Sequence, residues 1–514
     1  MKNMISFLFF TFFIVTYLFS QDDDGAMRVE FDARAEVFHL VPCGEKGVLM
    51  FYESIKLVDQ ANKSWVCIFY DIGLKPLWSK EIPVLKDLFY IDFYQDGNVV
   101  YLAFENLDKS KSDEYNFQLV KINLSDSGFE VKSTFLPDKA DLINFEVSGN
   151  IFAGGFNYGK EEAILIIKNL ANDEEKVIQF KEKPSFLEDI RLNAGLQQVF
   201  VVLNIYQERK QSVLYLNTYD YAGALQSSIV VSPTKESEKL MNGQLNFVKA
   251  DEIYILGSYN NLNGRFSKTD ETIQGEESVG FYVAKIENGE QKFIRFHRLA
   301  DFKNITQILN NEQLTDVNAA NKKNRKKEGE GNLNYQFLIH DLVKNGNDFV
   351  MLAEAYYPEY HQVSTMSYDF YGRPMPYYYT VFDGYRYFNA FAAGFNQQGD
   401  LLWSNGIKIW DVRSFLLQKK VEVYFDGEDA VLFYNHDGKI VSKAINGNEE
   451  IGDEEHTKIA MQFPGDVQME ASQGMIRQWY SNFFVAYGYQ TLKNSALGGG
   501  SKRSVFYFNK VIFN

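Results

Sequence analysis

The feature that most constrains this chain is a set of short apolar segments that recur about every fifty residues. Each segment is rich in Val, Ile, Phe and Tyr, is bounded by Gly, Asn or Asp, and is too short to form a helix. The eight segments lie at 48–52, 99–104, 151–156, 199–203, 253–256, 349–353, 430–434 and 483–487. A continuous apolar run of this length is typical of a strand that is buried on both faces. We therefore predict a series of sheets, each covered by a neighbour on either side.

Each apolar segment can be placed within a unit of four strands. In the second unit the strands are predicted at 89–93, 99–104, 117–122 and 129–135, with a tight turn at Asp96-Gly97. A radial array of four-stranded sheets satisfies both the spacing and the turns, which predicts an all-β chain that folds as an eight-bladed β-propeller. Seven blades are the alternative.

The last unit offers only three strands, at 475–480, 483–487 and 505–512. A further strand, predicted at 27–31, has no unit of its own. We predict that this N-terminal strand becomes the fourth strand of the last blade and closes the ring.

The first twenty residues have the pattern of a secretory signal peptide. Lys2 precedes an apolar stretch at 5–19, and Ser20 is the small residue before the expected cleavage point. An uncleaved anchor is the alternative, although the stretch is shorter than the roughly 20 apolar residues of a spanning helix. The predicted organisation is a signal peptide at 1–20 and one propeller domain at 21–514, with insertions at 259–278, 301–334 and 357–387. The mature chain is expected in the periplasm, on the cell surface or outside the cell, without membrane insertion.

The net charge of the chain narrows the range of expected partners. The net charge is -16 and becomes -17 once Lys2 is removed, which disfavours nucleic acid as a partner. An envelope or extracellular protein is the expected partner, with a glycan as the alternative.

Cys43 and Cys67 are the only cysteines. The predicted strand register separates them by more than the ~7 Å that a disulfide tolerates, so both are predicted to be unlinked and buried.

The long connections are predicted to share one face of the ring. In a propeller, the turns between second and third strands lie on the same face as the links between blades. The long segments all belong to these two kinds of connection, and they lie at 106–116, 259–278, 301–334, 357–387 and 490–503. Because binding residues concentrate on loops that a rigid scaffold holds, we predict the functional surface on this face. Loops that only cover the channel are the alternative.

The insertion in blade six is unusually rich in tyrosine, and we predict it as a loop that binds a partner. Tyrosine combines a large rigid contact area with a polar tip, which suits recognition of proteins and of sugar rings. The predicted partner-binding residues are Tyr356, Tyr357, Tyr360, Tyr368, Tyr371, Arg373, Tyr377, Tyr378, Tyr379, Tyr385, Arg386 and Tyr387. The alternative is that these rings pack on one another to hold the loop in shape.

Two further features lie in the insertion at 301–334. Ile305, Ile308 and Leu309 have helical spacing, and 322–327 is a basic cluster in an acidic chain. The basic cluster could dock an anionic partner, but a solvated tip is the commoner explanation for such a run.

Motifs for catalysis and metal binding are missing from the sequence. The six histidines show no metal-ligand spacing, and there is no nucleophile elbow, zinc-protease motif, phosphate-binding loop or EF-hand loop. His39 and His340 lie on predicted inner strands, where a structural role is the simpler interpretation. No catalytic residue, metal or cofactor is predicted, and an enzymatic function is the less favoured one. Carboxylates brought together from several blades would leave no linear motif.

Three turns resemble those of a known repeat. The chain has Asp71 and Gly73 followed by Trp78, Asp220 followed by Gly223, and Asn396 followed by Gly399 and Trp403. This pattern is similar to the turn of the quinoprotein-like repeat, which is found in eight-bladed quinoprotein dehydrogenases and in a non-enzymatic lipoprotein scaffold of outer-membrane protein assembly. The resemblance implies an eight-bladed ring.

The chain departs from both kinds of relative. The dehydrogenases have a disulfide between adjacent cysteines and a calcium site beside the quinone, whereas this chain has neither neighbouring cysteines nor identifiable ligands. The lipidated cysteine of the scaffold lipoprotein is also missing. The resemblance therefore implies a ring of the non-enzymatic type, without cofactor.

These observations predict an exported propeller that acts as a binding or assembly scaffold in the cell envelope. The Tyr-rich segment would contact its protein partner. The alternative is a glycan-binding protein or a carbohydrate-active enzyme with its site at the mouth of the channel.

Overall fold

The computed structural model describes residues 27–33, 37–106, 116–136, 140–159, 162–180, 184–208, 211–249, 251–261, 278–302, 336–368, 371, 373–427, 429–494 and 502–513. The predicted signal peptide, the predicted helix near Ile305 and the basic cluster at 322–327 lie outside the described residues. Within the described ranges, no helix is long and apolar enough to cross a membrane.

The described strands form eight separate antiparallel sheets, and successive sheets follow one another along the chain. Each sheet has four strands, which follow in sequence order from the channel outward except in the last sheet, where the N-terminal strand is outermost. In blades five and six the innermost strand is split into two short pieces. The chain is therefore an eight-bladed β-propeller, and the predicted fold class is confirmed.

The strands of the first four blades have the following bounds. Blade one contains β2 (Phe38–Pro42), β3 (Val48–Leu57), β4 (Asn62–Tyr70) and β5 (Pro76–Leu85). Blade two contains β6 (Phe89–Asp96), β7 (Val99–Glu105), β8 (Phe117–Asn123) and β9 (Phe129–Thr134). Blade three contains β10 (Ala140–Ser148), β11 (Ile151–Tyr158), β12 (Glu162–Asn169) and β13 (Glu175–Phe180). Blade four contains β14 (Ser185–Asn193), β15 (Gln198–Glu208), β16 (Gln211–Asp220) and β17 (Leu225–Val231).

The remaining blades carry the longer strands. Blade five contains β18 (Glu238–Leu240), β19 (Gln244–Lys249), β20 (Glu252–Asn261), β21 (Gly280–Glu287) and β22 (Glu290–Arg298). Blade six contains β23 (Gln336–Ile339), β24 (Val343–Asn345), β25 (Asp348–Tyr368), β26 (Pro374–Phe395) and β27 (Leu401–Ser414). Blade seven contains β28 (Val421–Asp426), β29 (Asp429–His436), β30 (Lys439–Asn446) and β31 (Glu449–Lys458). Blade eight contains β32 (Val467–Tyr480), β33 (Phe483–Lys493), β34 (Lys502–Ile512) and β1 (Arg28–Asp32).

The N-terminal strand closes the ring as predicted. β1 pairs antiparallel with β34, with Arg28 opposite Asn509 and Asp32 opposite Val505. The Arg28 guanidinium donates to Glu30 at 2.7 Å and to Gln490 Oε1 at 2.7 Å, and it lies 4.4 Å from the centre of the Tyr507 ring. The outer edge of blade eight is thus fastened by backbone pairing and by a buried cation.

The apolar core lies between the blades. Phe51 and Trp65 of blade one pack in one cluster with Leu102 and Phe104 of blade two, and equivalent clusters join the blades that follow. The second strands contribute to the clusters on both of their faces, which explains why their sequences are continuous apolar runs. Cys43 and Cys67 are buried, and they are unlinked as predicted. Cys67 is paired with Phe51, one position from the expected register.

The three turns that carry the repeat pattern share one geometry. One side-chain oxygen of Asp71 accepts hydrogen bonds from the backbone N–H groups of Gly73 and Lys75, both at 2.8 Å. Asp220 and Asn396 bind the backbone two and four residues ahead in the same way. The Trp78 indole donates to the carbonyl of Leu124 in the next blade at 2.9 Å. These turns therefore fasten each hairpin locally, and Trp78 also ties one blade to its neighbour.

Candidate functional site

The Tyr-rich insertion is a β-hairpin and not the loop that the sequence suggested. β25 and β26 continue far beyond the blade and pair in register from Phe349 opposite Phe395 to Tyr368 opposite Pro374. The loop prediction was wrong because the segment is rich in Tyr and also contains Val, Thr and Phe, which are all residues that favour strands. The second-to-third connection of blade six is thus a two-stranded ribbon that extends beyond the rest of the blade.

The outer part of this ribbon has no third strand beside it in the described structure. β27 pairs with β26 only as far as Tyr385 opposite Ser414, and β23 reaches β25 only at Tyr356. We call the segment from Tyr360 to Phe382 the arm. Both of its long edges expose unpaired backbone groups, as edge strands do.

The predicted partner-binding residues divide into two groups. Tyr387 is buried, and its hydroxyl donates to the Gln418 carbonyl at 2.8 Å and accepts from the Gln418 N–H at 2.9 Å. Tyr356 and Tyr385 pack edge to face with ring centroids 5.5 Å apart. These three tyrosines belong to the blade-six core, so for them the packing interpretation holds.

The other tyrosines are exposed, mostly on the arm. Tyr377 and Tyr378 are each 61% exposed and project from opposite faces of the ribbon, since successive residues of a strand alternate. Tyr377 and Tyr379 share a face and stack with centroids 6.3 Å apart. The same exposed group also includes Tyr357, Tyr360, Tyr371 and Arg373, whereas the side chain of Tyr368 lies outside the described part of the structure.

Charged residues surround the base of the arm. His361 Nδ1 lies 2.6 Å from Asp383 Oδ1. Glu359 forms ion pairs with Arg413 at 3.2 Å and with Arg386 at 3.6 Å. Arg386, one of the predicted contact residues, is therefore held by a carboxylate at the root of the ribbon.

The base of the arm adjoins a cavity of about 1190 Å³ in the central channel. The cavity is lined by residues near the start of the inner strands, which is the end of the channel where the arm also projects. Asp383, Arg413 and the link at 414–420 form the wall below the arm. The cavity thus lies at the end of the channel on the face that carries the long connections.

Several inner strands carry a bulge that places a side chain in this cavity. Residues 187 and 189 of β14 pair with consecutive residues of β15, so Glu188 is the extra residue. Ile91 and Ile143 occupy the same position in blades two and three. Bulges re-aim side chains and recur beside binding sites. Burial raises the pKa of Glu188 to about 8, and the neighbouring Asp189 adds to the shift.

Several carboxylates in and beside the channel hold blades together. Asp189 accepts hydrogen bonds from Asn144 of blade three at 2.7 Å and from the N–H of Leu245 in blade five at 2.8 Å. Arg191 contacts Glu146 of blade three at 3.0 Å and Asp341 of blade six at 2.5 Å. These groups are already satisfied by one another, which indicates a structural role.

Asp341 links the cluster of Asp189, Arg191 and Glu146 to Lys419, which lies just before blade seven. Its second oxygen accepts a hydrogen bond from Lys419 Nζ at 3.1 Å, and Gln244 donates to the first at 2.7 Å. Burial alone would raise the pKa of Asp341, but the charges of Lys419 and Arg191 outweigh burial and lower it.

The two histidines of the inner strands have structural surroundings. His39 lines the cavity, and its ring centroid lies 4.4 Å from that of Tyr90 with the two planes tilted by 52°. Burial lowers the pKa of His39 to about 4, so it is neutral at physiological pH. His340 Nε2 lies 2.8 Å from Glu354 Oε1, which also accepts the N–H groups of Lys420 and Val421. Within the described ranges, no group of three or more His, Cys, Asp or Glu side chains could hold a metal ion.

Sequence reasoning missed a cationic site between blades seven and eight. Lys420 is only 5% exposed and lines the cavity, and Arg477 lies on the inner strand of the next blade. The only available signal was a pair of charged residues in segments predicted to be next to the channel. Which charged residues converge depends on the ring geometry and on the bulges, and neither leaves a linear pattern.

The comparisons with known proteins return no relative in sequence. No family model matches the chain, and no curated protein does. Among solved structures, the chain is similar to the β-propeller domain of the trilobed protease from Pyrococcus furiosus, which has an open velcro topology. That match has 9% identity, a TM-score of 0.36, and coverage of 82% of this chain and 98% of the other. The polysaccharide lyase Uly1 matches with 10% identity, a TM-score of 0.38, and coverage of 82% and 89%. These similarities are too low to support any conclusion about function.

Proposed function

We propose that this protein is an exported β-propeller binding scaffold that captures a protein partner with its arm. The observation that carries the proposal is the state of the ribbon between Tyr360 and Phe382, which is two-stranded and exposes large side chains on both faces. Isolated two-stranded hairpins are only marginally stable in water. A partner that covers the arm would supply the contacts that the rest of the chain does not.

The composition of the arm suits protein recognition. Met366, Met375, Tyr371, Tyr377 and Tyr378 are all strongly exposed. Tyrosine and methionine are enriched in protein interfaces, and exposed apolar groups in one projecting element mark an interaction site. The free edges of the ribbon would also allow a partner strand to pair with it. The pattern of residues 1–20 supports export, and the three repeat-like turns support a relationship to non-enzymatic quinoprotein-like rings.

The test is site-specific photo-crosslinking in cells that produce the protein. A photoreactive residue at Tyr378 should give one discrete protein adduct. The matched control carries the same residue at Ile55, which is exposed near the end of β3, just before the second-to-third connection of blade one. No adduct at Tyr378, or the same adducts at both positions, would refute the proposal.

A second variant separates binding from folding. Replacing 361–381 with Asn-Gly between the paired residues Tyr360 and Phe382 removes the arm and leaves Tyr356, Tyr385 and Tyr387 in the core. This variant should melt at nearly the same temperature as the parent chain and lose the partner. A large loss of stability would instead assign the arm a structural role.

A further inference from the structure

The wall of the cavity between blades seven and eight contains an amine without an anionic partner. Lys420 is almost fully buried, and its Nζ has one hydrogen-bond partner among the described residues, the Sδ of Met475 at 3.0 Å. A thioether is a weak acceptor, and burying an ammonium without an anion is costly. Burial therefore lowers the pKa of Lys420 to about 8, with the Arg477 guanidinium contributing.

Arg477 lies beside Lys420 and keeps most of its donors unused. Its Nη1 donates to the Ile476 carbonyl at 3.0 Å and lies 3.5 Å from Glu422 Oε1. Its Nε and Nη2 have no hydrogen-bond partner in the described part of the chain. The guanidinium fork suits a carboxylate, which it can bind through two parallel hydrogen bonds.

Two phenols line the same region of the cavity. Tyr90 and Tyr487 both lie close enough to Arg477 for its charge to affect their pKa values, which burial raises. Their hydroxyl groups remain protonated and have no hydrogen-bond partner among the described residues. One end of the cavity therefore combines a lysine whose one hydrogen-bond acceptor among the described residues is a thioether, an arginine with unused donors, and two phenol hydroxyl groups.

We propose that this end of the channel is a binding site for a sugar acid, whose carboxylate is held by Lys420 and Arg477. The charge of the surroundings favours a monoanion over a dianion, because Glu422 and Glu354 already lie near the two cations. The rest of the cavity suits a saccharide. Gln418 and Gln473 line it with exposed amide groups, and Tyr487 and Phe93 line it with aromatic rings.

Calorimetric titration of the full chain tests the proposal. The probe is galacturonate, a monoanion, its methyl ester is the matched neutral ligand, and inorganic phosphate is the competing anion. We expect galacturonate to bind, the ester and phosphate to bind at least about tenfold more weakly, and Lys420→Met to weaken galacturonate binding by about tenfold or more.

Arg413→Met is the control variant. Arg413 lines the cavity too, but it is already paired with Glu359 at 3.2 Å, so its loss should change the affinity less than about threefold. Binding that Lys420→Met leaves intact would overturn the proposal. Equal binding of the ester, tighter binding of phosphate, or binding only of a peptide with a free C-terminal carboxylate would overturn it as well.

Discussion

At the scale of single residues, Lys420 lies in an environment that does not match its charge. It is one of the few charged side chains that are buried in the described ranges, and its ammonium has no carboxylate as a hydrogen-bond partner there. Lys285, by comparison, lies 2.8 Å from Glu252 and has its pKa raised, because the hydrogen bond to Glu252 and nearby charges outweigh burial. A group that opposes folding at neutral pH is a candidate for a functional role.

Replacing Lys420 with Met should stabilise the protein at pH 7. The pKa of Lys420 falls from 10.5 in the unfolded chain to about 8 in the folded one. The unfolded state therefore binds more protons between about pH 8 and 10.5, so the parent chain gains stability as the pH rises through that window. The shift corresponds to at most about 3 kcal/mol, which Lys420→Met should recover at pH 7.

Urea unfolding of both chains at pH 7 and pH 9.5 measures this difference. The groups that act on Lys420 are Arg477 on β32 and Glu354 on β25, and both are retained in the variant. Lys285→Met is the control and should not stabilise. Parallel pH dependence of parent and Lys420→Met would contradict the expected shift.

Asp220 is the second residue for which the structure makes a clear prediction. Its Oδ1 accepts two backbone N–H groups, from Ala222 at 3.0 Å and from Ala224 at 2.8 Å. Asp220→Ala should lower the free energy of unfolding by about 1–2 kcal/mol, since two donors lose their acceptor. Asp220→Asn keeps the oxygen and should cost less. Equal losses in chemical denaturation would show that the two hydrogen bonds contribute little.

At the scale of elements, the β25–β26 hairpin joins two different environments. Its inner half is the centre of blade six, where Tyr387 is 1% exposed, and its outer half is the arm. The same residue type therefore has opposite roles along one strand. Only the distance from the ring decides which role a given tyrosine takes.

The two halves should respond differently to substitution. Changing Tyr377, Tyr378 and Tyr379 together to Ser should alter the free energy of unfolding by less than about 1 kcal/mol, because exposed substitutions rarely matter more. Tyr387→Ser should cost about 3–5 kcal/mol, since it leaves a cavity and removes both hydrogen bonds to Gln418. Thermal denaturation of the two variants measures this contrast. If the triple variant were as unstable as Tyr387→Ser, the arm tyrosines would contribute to the packing of the folded chain, and the expected contrast would be wrong.

At the scale of the whole molecule, the stability of the ring depends on one closure. β1 and β34 belong to opposite ends of the chain, and five residue pairs join them. Val29 and Phe31 of β1 also pack against the cluster between blades eight and one. An open ring would expose that cluster and one edge of blade eight.

A chain that begins at residue 34 should therefore be less stable than one that begins at residue 27. The loss of β1 should lower the free energy of unfolding by about 3–6 kcal/mol, from lost pairing and lost burial. Hydrogen exchange should locate the change in β34 and β2. Unchanged protection in both strands would mean that the ring closes without β1.

The sequence by itself determined the architecture, because strand burial and blade spacing are local properties that repeat. The run at 199–203 is apolar because β15 is covered on both faces. The turn that begins at Asp220 is specified by four consecutive residues. The missing fourth strand of the last unit was enough to predict the closure by β1.

Only the tertiary structure decided the sites. It showed that the Tyr-rich segment is a paired ribbon, because pairing depends on a register between strands that composition does not reveal. It also brought Lys420 and Arg477 together with Tyr90, which precedes them by more than three hundred residues. Neighbours across a ring come from every blade, so their convergence depends on the closed geometry and not on any local pattern.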